Sequence, residues 1–201
     1  MKKFIITISR EFGCNAREIA REIAARLGIE FYDKTLVDMA ADKAGISHDS
    51  FTDSDALIDK YGRNLLQSFS YGSSTKFYSE KAVQAQIEVI RDLANHRGSA
   101  VFFGRCAGYI LRGHPNPLNV FLYAPMNCRV RHMAEAYNLT ELEAEKLIKR
   151  VDRQRHNYYK FVTGKNRGDR DFKHLMIDVS KFGTEGAVDL VCFAVKNKFS
   201  D

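Results

Sequence analysis

The feature that most constrains the fold of this chain lies at its N-terminus, where a strand, a tight turn and a helix follow one another. Residues 4–8 form a short apolar run, which is typical of a strand buried on both faces of a parallel sheet. Gly13 falls in the turn, and Ile19, Ile23 and Leu27 then recur every four residues along one helical face. A strand, a glycine turn and a helix in this order form the framework of a phosphate-binding loop, in which the helix N-terminus faces the anion.

Further short apolar runs recur between longer helical patterns, and most of them are continuous rather than alternating. These runs cover residues 30–32, 100–103, 119–123 and 175–179. Continuous runs are expected for parallel strands buried on both faces, and strands that alternate with helices indicate a sheet with right-handed crossovers. The sequence therefore predicts an α/β fold.

Helical patterns fill the intervals between these runs. They cover residues 36–45, 80–95, 140–159 and 185–197. Thr140-Glu141-Leu142-Glu143 is a capping box that begins the third of them. The interval from 34 to 95 is long for a simple crossover, so it predicts an inserted helical lobe. Residues 163–171 are highly charged and contain glycine, which predicts a mobile surface loop.

Composition and charge narrow the class of protein. The 201 residues fit one domain, and a hydrophobic share of 45% is enough for its core. The net charge of +6 suits an anionic ligand such as a nucleotide, and it also suits nucleic acid or simple solubility. Since the chain has neither a signal-peptide pattern nor an apolar run of membrane-spanning length, we expect a cytoplasmic protein without a membrane partner. The four cysteines are scattered, which predicts free thiols.

The glycine turn lacks the lysine of the G-x-x-x-x-G-K-[ST] pattern of phosphate-binding loops. Ala16 occupies the lysine position, Arg17 occupies the serine position, and Glu18 follows. Arg17 can supply the positive charge, because a guanidinium binds phosphate well, and Glu18 can reach a magnesium ion. A structural alternative stays open. Asn15 is a good N-cap and Glu18 stands at the N3 position of a capping box, so both side chains would take N–H groups that a phosphate needs.

The segment 146–170 is strongly basic, with nine lysines and arginines against two aspartates. Most of these cations are expected on a solvated surface. Arg155 instead falls within the apolar stripe of the predicted helix, where a guanidinium needs an anionic partner. That partner is either Asp152, three residues earlier, or a substrate phosphate in a cleft. Arg150 and Arg153 share the exposed side, where they either close over a ligand or face water.

Another cation, Arg105, follows Gly104 just past the buried run 100–103. Ligands of open α/β sheets collect at the carboxyl ends of the strands. A loop arginine at this edge therefore indicates a binding site, with structural pairing as the alternative. Cys106 beside it is expected to be a packed thiol, since no motif marks it as a nucleophile.

Several segments together resemble the cytidylate kinase-like family, in the right order and over nearly the whole chain. They are Ile-Ser-Arg-Glu-Phe-Gly (8–13), Arg-Glu-Ile-Ala (17–20), Phe-Tyr-Asp-Lys (31–34), Phe-Gly-Arg (103–105), Val-Phe-Leu-Tyr-Ala-Pro (120–125) with Arg129, and Asp-Arg-Gln-Arg-His-Asn-Tyr-Tyr-Lys (152–160). The resemblance implies a single P-loop kinase-like domain over residues 1–201, with a five-stranded parallel sheet flanked by helices. It also implies a helical monophosphate-binding lobe at about 34–95 and a lid at about 135–172.

The resemblance further implies a reaction and the residues that would perform it. The reaction is transfer of the γ-phosphoryl group of ATP, with Mg²⁺, to a nucleoside monophosphate such as CMP or to a related small phosphorylated acceptor. The donor nucleotide would be held by Ser9, Gly13, Cys14, Asn15, Ala16, Arg17, Glu18 and Arg129. The acceptor would be held by Asp33, Arg105, Arg150 and Arg155. Catalysis would fall to Arg17, Asp152, Arg153 and Arg155, and Glu18 is the candidate for magnesium.

Two departures from the family's pattern bear on activity. Authentic cytidylate kinases carry a lysine where Ala16 stands, which bears on phosphoryl transfer. Many have an acidic residue at the position of Cys106, which bears on cytosine recognition. The leading hypothesis is a kinase. The alternatives are a nucleotide-binding sensor without catalysis and a nucleic-acid-binding module built on the cations of 146–170.

Overall fold

The computed structural model describes residues 2–33, 35–45 and 80–200, and its centre is a parallel β-sheet. The strands are β1 (Ile5–Arg10), β2 (Glu30–Tyr32), β3 (Ala100–Phe103), β4 (Pro117–Tyr123) and β5 (Leu175–Asp178). They form one five-stranded sheet in the order β2-β3-β1-β4-β5, with parallel pairing throughout. The predicted five-stranded parallel sheet is confirmed.

Helices cover both faces of this sheet. They are α1 (Ala16–Leu27), α2 (Thr35–Ala44), α3 (Glu80–His96), α4 (Ala107–Ile110), α5 (Met126–Tyr137), α6 (Glu141–Thr163) and α7 (Val179–Phe199). The capping box at Thr140 is formed as predicted, because its hydroxyl accepts from the backbone N–H of Glu143 and the Glu143 carboxylate accepts from the Thr140 N–H. Part of the predicted lobe, residues 46–79, lies outside the described residues. The described part of the chain contains no helix that is both long and apolar enough for a bilayer crossing.

β1 is the central strand, and its position determines where a ligand can bind. Ile8 pairs with Phe103 of β3 on one side and with Val120 of β4 on the other. Because all strands are parallel, the carboxyl ends of β1, β3 and β4 reach the same edge of the sheet. Open α/β sheets bind ligands in the crevice at that edge, where the strand order reverses around the first strand.

Three apolar clusters hold the helices in place. The first packs α1 and α7 against one face of the sheet, and the second packs α2, α3 and α4 against the other face. The third joins α5 and α6 to Phe12 in the turn after β1, through buried residues that include Met133, Leu147 and Val151. This third cluster fixes the long helix α6 beside the glycine turn, so it positions α6 over the sheet edge.

We predict that the third cluster stabilises the fold through α6. Leu147 on this helix is 3% exposed and Leu142 is 60% exposed, so the two leucines form a matched pair. Leu147→Ala should lower the free energy of unfolding by about 2–5 kcal/mol, since it leaves a cavity. Leu142→Ala should lower it by about 0.5 kcal/mol or less. Urea denaturation followed by circular dichroism measures both, and equal losses would contradict the packing described.

Candidate functional site

Two adjoining pockets open at the carboxyl ends of β1 and β3. The first, which we name the turn pocket, is lined by residues 11–18 of the turn and the start of α1, and by His132, Met133, Ala136 and Tyr137 of α5. The second, which we name the sheet-edge pocket, is lined by residues 103–109, by loop residues 171–173 and by Gln154, Arg155, Tyr158 and Tyr159 of α6. Among the described residues, three line both pockets: Arg10, Phe103 and Arg155.

Gly13 allows the chain to turn tightly between β1 and α1. Its φ is +86°, and a Cβ added there would lie 3.0 Å from the side chain of Met133 and 3.3 Å from that of Arg129. A larger residue would therefore be strained and would push α5 away. Gly13 thus permits the close approach of α5 that forms one wall of the turn pocket.

The N-terminus of α1 does not have the side-chain cap that the sequence suggested. Asn15 takes a left-handed conformation, with φ 55° and ψ 24°, and its side chain makes no capping hydrogen bond. Its amide nitrogen instead donates to Glu18 Oε2 at 2.6 Å and to Thr184 Oγ1 at 3.3 Å. The capping-box interpretation of Asn15 and Glu18 is therefore wrong. A helix N-terminus without a side-chain cap, facing a pocket, is suited to a phosphate.

Arg17 and Asp33, which the family resemblance assigns to donor and acceptor respectively, form an ion pair with each other. Arg17 Nε lies 2.8 Å from Asp33 Oδ2, and both side chains are mostly buried. Arg17 lines the turn pocket and Asp33 lines the sheet-edge pocket, so the pair lies beside the junction of the two. This pair ties the first turn of α1 to the end of β2.

Asp152 lies at the centre of an ionic network. Its Oδ1 accepts from the backbone N–H of Phe12 at 3.0 Å and from Arg167 Nη2 at 2.8 Å, and its Oδ2 accepts from Arg129 Nη1 at 2.7 Å. Arg129 is 6% exposed and also donates to the carbonyl oxygens of Phe12 and Ala124. Asp152 therefore holds the glycine turn, α5, α6 and the following loop together.

The remaining residues expected at the site divide into two groups. Gly13, Cys14, Asn15, Ala16 and Glu18 line the turn pocket, and Ser9 and Arg105 line the sheet-edge pocket. Four of the described residues that were expected at the site line neither pocket: Arg129, Arg150, Asp152 and Arg153. Arg129 and Asp152 instead form hydrogen bonds with the Phe12 backbone and so fix the position of the turn.

Sequence reasoning missed Arg10 and Arg167. Arg167 Nη2 donates to the carbonyl oxygen of Arg10 at 2.8 Å as well as to Asp152, so it anchors the loop after α6 to the end of β1. The basic character of 146–170 was visible in the sequence, but no helical period applies to a loop cation. Arg10 lay within a quoted motif, and only the three-dimensional structure brings it to both pockets.

The turn after β3 has an unusual backbone. Gly104, Arg105 and Cys106 have φ values of 76°, 53° and 58°, so three consecutive residues are left-handed. A non-glycine residue in this region costs roughly 1–2 kcal/mol. Strained backbone of this kind concentrates at functional sites, where the surrounding structure holds it in place. The strain therefore marks the rim of the sheet-edge pocket.

The cysteines at the site are packed thiols, as expected. Burial raises the pKa of the Cys14 thiol to about 11 and that of the Cys106 thiol to about 12. Cys14 Sγ donates to the carbonyl oxygen of Glu11 at 3.2 Å. All four cysteines are free, which confirms the prediction of unpaired thiols.

The uncapped N-terminus of α1 is suited to the phosphates of a nucleotide, but the site offers few carboxylates for binding a metal ion. Within the described ranges, no group of three or more His, Cys, Asp or Glu side chains is arranged to bind a metal ion. Mg²⁺ usually takes one or two carboxylates and completes its shell with water and substrate phosphates. Glu18 in the turn pocket is a carboxylate of the kind that this arrangement requires.

Comparisons of the sequence with known proteins agree with this architecture. The model of the family described as "Cytidylate kinase-like family" matches residues 5–181. The chain is also similar to a protein of Methanocaldococcus jannaschii named "Cytidylate kinase". The two are 24% identical over 144 residues, which cover 70% of this chain and 78% of that protein.

Comparisons of the fold give the same class. An uncharacterized protein from Eubacterium ventriosum superposes with a TM-score of 0.74 at 25% identity, covering 98% of this chain and 99% of that one. Shikimate kinase from Bacteroides thetaiotaomicron has a TM-score of 0.54 at 11% identity, covering 97% and 99%. A gluconokinase from Sinorhizobium meliloti has a TM-score of 0.52 at 12% identity, covering 98% of each chain. The kinases share the fold.

We predict that Asp152→Asn destabilises the protein, because Arg129 and Arg167 lose their shared anion. Fully buried pairs lose roughly 3–5 kcal/mol when one partner is removed, and we expect about 2–4 kcal/mol since Asp152 keeps some solvent contact. The control is Asp189→Asn, whose carboxylate lies 2.7 Å from Arg26 but is 63% exposed. The control should lose less than about 1 kcal/mol. Urea unfolding compares the two variants, and a control loss as large as that of Asp152→Asn would refute the network's role.

We also predict that Cys106 resists alkylation in the folded protein. With a pKa of about 12, roughly one molecule in 10⁴ carries the thiolate at pH 8. Iodoacetamide at pH 8, followed by peptide mass spectrometry, should label Cys106 only after unfolding in guanidinium. Labelling of folded protein at the unfolded rate would contradict the burial of this thiol.

Proposed function

Since this chain belongs to the cytidylate kinase-like family, we propose that it transfers the γ-phosphoryl group of ATP to a nucleoside monophosphate or a related small phosphorylated acceptor. The observation that carries the proposal is the pair of adjoining pockets that share Arg10, Phe103 and Arg155. Direct phosphoryl transfer needs donor and acceptor in adjacent sites, with the attacking and leaving oxygens roughly in line.

The turn pocket is the proposed donor site. Its uncapped helix N-terminus suits the phosphates of ATP, and Arg17 and Arg21 on α1 add positive charge. Glu18 is the residue that would hold Mg²⁺, and the ion would neutralise charge on the outer phosphates. We propose a cytoplasmic location, in keeping with four free cysteines.

The sheet-edge pocket is the proposed acceptor site. Arg105 at its rim would bind the acceptor phosphate, since a guanidinium binds phosphate oxygens in pairs. Tyr109 and Phe172 contact each other edge to face, with ring centroids 5.9 Å apart, and both line this pocket. Aromatic walls fit a nucleobase or another ring. Cys106 stands where many cytidylate kinases have an acidic residue, so CMP is one acceptor of several to be tested.

Arg155 is the proposed catalytic cation. It lines both pockets, and its guanidinium carbon lies 5.2 Å from the centre of the Phe12 ring. A cation at this boundary stabilises the charge that spreads over the transferred phosphoryl oxygens. Asp152 would act by holding the turn and α6 in place. Arg17 in the turn pocket is a further proposed catalytic residue, and Arg129 would support donor binding by fixing the turn. Arg150 and Arg153 line neither pocket, so the catalytic and acceptor-binding roles that the resemblance implies for them have no support from the pockets.

The second candidate function is nucleotide binding without transfer. It is favoured by Ala16 at the lysine position and by the ion pair that Arg17 already makes with Asp33. A nucleic-acid interface has less support, because Arg155 and Arg167 of the basic segment line the pockets instead of forming an outward stripe.

We predict measurable kinase activity that depends on Arg155. A coupled ADP-release assay with a panel of nucleoside monophosphates should detect turnover. Arg155→Met should lower kcat by about 10²–10⁴-fold with smaller changes in KM, because the charge acts mainly on the transition state. The control is Arg131→Met, which removes an exposed arginine on α5 outside both pockets.

The same assay separates the two candidate functions. Loss of activity in Arg131→Met equal to that in Arg155→Met would refute the role of Arg155. If no acceptor is phosphorylated while calorimetry detects ATP or ADP binding, the second candidate function replaces the first.

A further inference from the structure

Arg10 is the last residue of β1 and reaches the boundary between the two pockets. We propose that Arg10 is a catalytic cation that bridges the donor and acceptor phosphates, in place of the lysine whose position Ala16 takes. This inference rests on the proposed function and adds to it a residue that comes from the strand rather than from the helix.

The position of Arg10 is the first ground for the inference. In the part of the chain that the structure describes, Arg10 lines both pockets together with Phe103 of β3 and Arg155 of α6. A group at this boundary can touch the phosphates of both ligands at once. Arg10 and Arg155 thus approach the boundary from two different elements, and a γ-phosphoryl group in transit would pass between the two pockets that they share.

The contacts of Arg10 are the second ground, because the Phe103 ring packs against its guanidinium and hydrogen bonds hold its backbone. The guanidinium carbon lies 4.0 Å from the centre of the Phe103 ring, within the range of a cation–π interaction. The backbone carbonyl of Arg10 accepts from Arg167 Nη2 at 2.8 Å. Its backbone also belongs to the β1–β4 ladder opposite Leu122. Cations that are already positioned need little reorganisation when charge develops.

Gly104 supplies the third ground, because its lack of a side chain makes room for Arg10. A Cβ added at Gly104 would lie 2.3 Å from Arg10 Nη1, far inside contact distance. The φ of Gly104, +76°, also disfavours any other residue. The glycine in Phe103-Gly104-Arg105 therefore allows the Arg10 guanidinium to lie over the start of the turn that carries Arg105.

The chemistry fits a guanidinium at this place. In the transfer, an oxygen of the acceptor phosphate forms a bond to the γ-phosphorus. The bond from that phosphorus to the β,γ-bridging oxygen breaks, and the electron pair leaves with ADP. Arg10 stays protonated throughout and stabilises the negative charge on the oxygens around phosphorus.

The test compares Arg10→Met with Arg112→Met. Arg112 is an exposed arginine outside both pockets that also stacks on an aromatic ring, with its guanidinium carbon 4.2 Å from the centre of Tyr109. Calorimetry measures the binding of ADP, CMP and a pentaphosphate with adenosine at one end and cytidine at the other, which spans both pockets. Arg10→Met should weaken pentaphosphate binding by about 100-fold and each single nucleotide by about 5-fold or less. Arg112→Met should change each of the three affinities by about twofold or less, because Arg112 lines neither pocket and its ring partner Tyr109 is still held by Phe172.

Two further variants guard against a purely structural effect. Arg10→Lys keeps the charge and should bind the pentaphosphate at least about tenfold more tightly than Arg10→Met does. Gly104→Ala should displace the guanidinium and reproduce the loss seen in Arg10→Met. Circular dichroism establishes that each variant is folded. In the kinase assay, Arg10→Met should lower kcat by about 10²–10³-fold. The KM for ATP and the KM for the acceptor should each rise by a much smaller factor.

Each outcome decides between the inference and the proposed function. If Arg10→Met binds the pentaphosphate as tightly as Arg112→Met does, the Arg10 inference is overturned and the proposed function stands. If the wild-type protein binds the pentaphosphate no more tightly than ADP, the bridging role of Arg10 is overturned, and the ADP-release assay with its panel of acceptors decides the proposed function. If the wild type binds it tightly without turnover, the kinase proposal fails, and a 100-fold loss in Arg10→Met still supports a phosphate-bridging Arg10.

Discussion

The rest of the site depends on the hydrogen bonds and ion pairs of the Asp152 carboxylate. One side chain accepts hydrogen bonds from the Phe12 backbone, from Arg129 and from Arg167, and so joins the turn after β1, helix α5 and the loop after α6. Charges buried to this degree are tolerated only when each has a partner. Both walls of the turn pocket and the inner wall of the sheet-edge pocket are therefore fixed through a group that lines neither pocket.

The missing lysine changes where the positive charge comes from. In a phosphate-binding loop with lysine, the cation extends from the start of the helix. Here Ala16 stands there, and arginines approach from other elements: Arg10 from β1, Arg105 from the turn after β3, and Arg155 from α6. Two of them lie near aromatic rings, Arg10 over Phe103 and Arg155 over Phe12. Rings restrict a long side chain, so this arrangement replaces one flexible cation with several positioned ones.

The fold could be predicted from the sequence because local patterns determine it, whereas the site depends on contacts between distant residues. Apolar runs predicted the five strands, and the capping box at Thr140 predicted where α6 begins. The side-chain cap at Asn15, which the sequence left open as an alternative to a phosphate site, is absent, because the sequence pattern does not reveal a left-handed φ of 55°. The bond between Arg167 and Arg10 joins positions 157 residues apart, and no periodicity marks such a pair. The same holds for the partners of Asp152, which come from three separate elements.

The strained turn after β3 supports a binding role for this edge of the sheet on energetic grounds. Glycine at position 105 or 106 would relieve the left-handed backbone, and each non-glycine residue there costs roughly 1–2 kcal/mol. The strain is maintained by the rest of the turn, since the Gly104 N–H donates to the Ile8 carbonyl at 2.8 Å and the Ala107 N–H donates to the Gly104 carbonyl at 3.0 Å. Arg105 in this conformation lines the sheet-edge pocket next to the space that Arg10 occupies. Packing accounts for the Cys106 side chain, whereas a turn that served the fold alone would gain stability from glycine at position 105, so the Arg105 side chain is best explained by a ligand in the pocket that it lines.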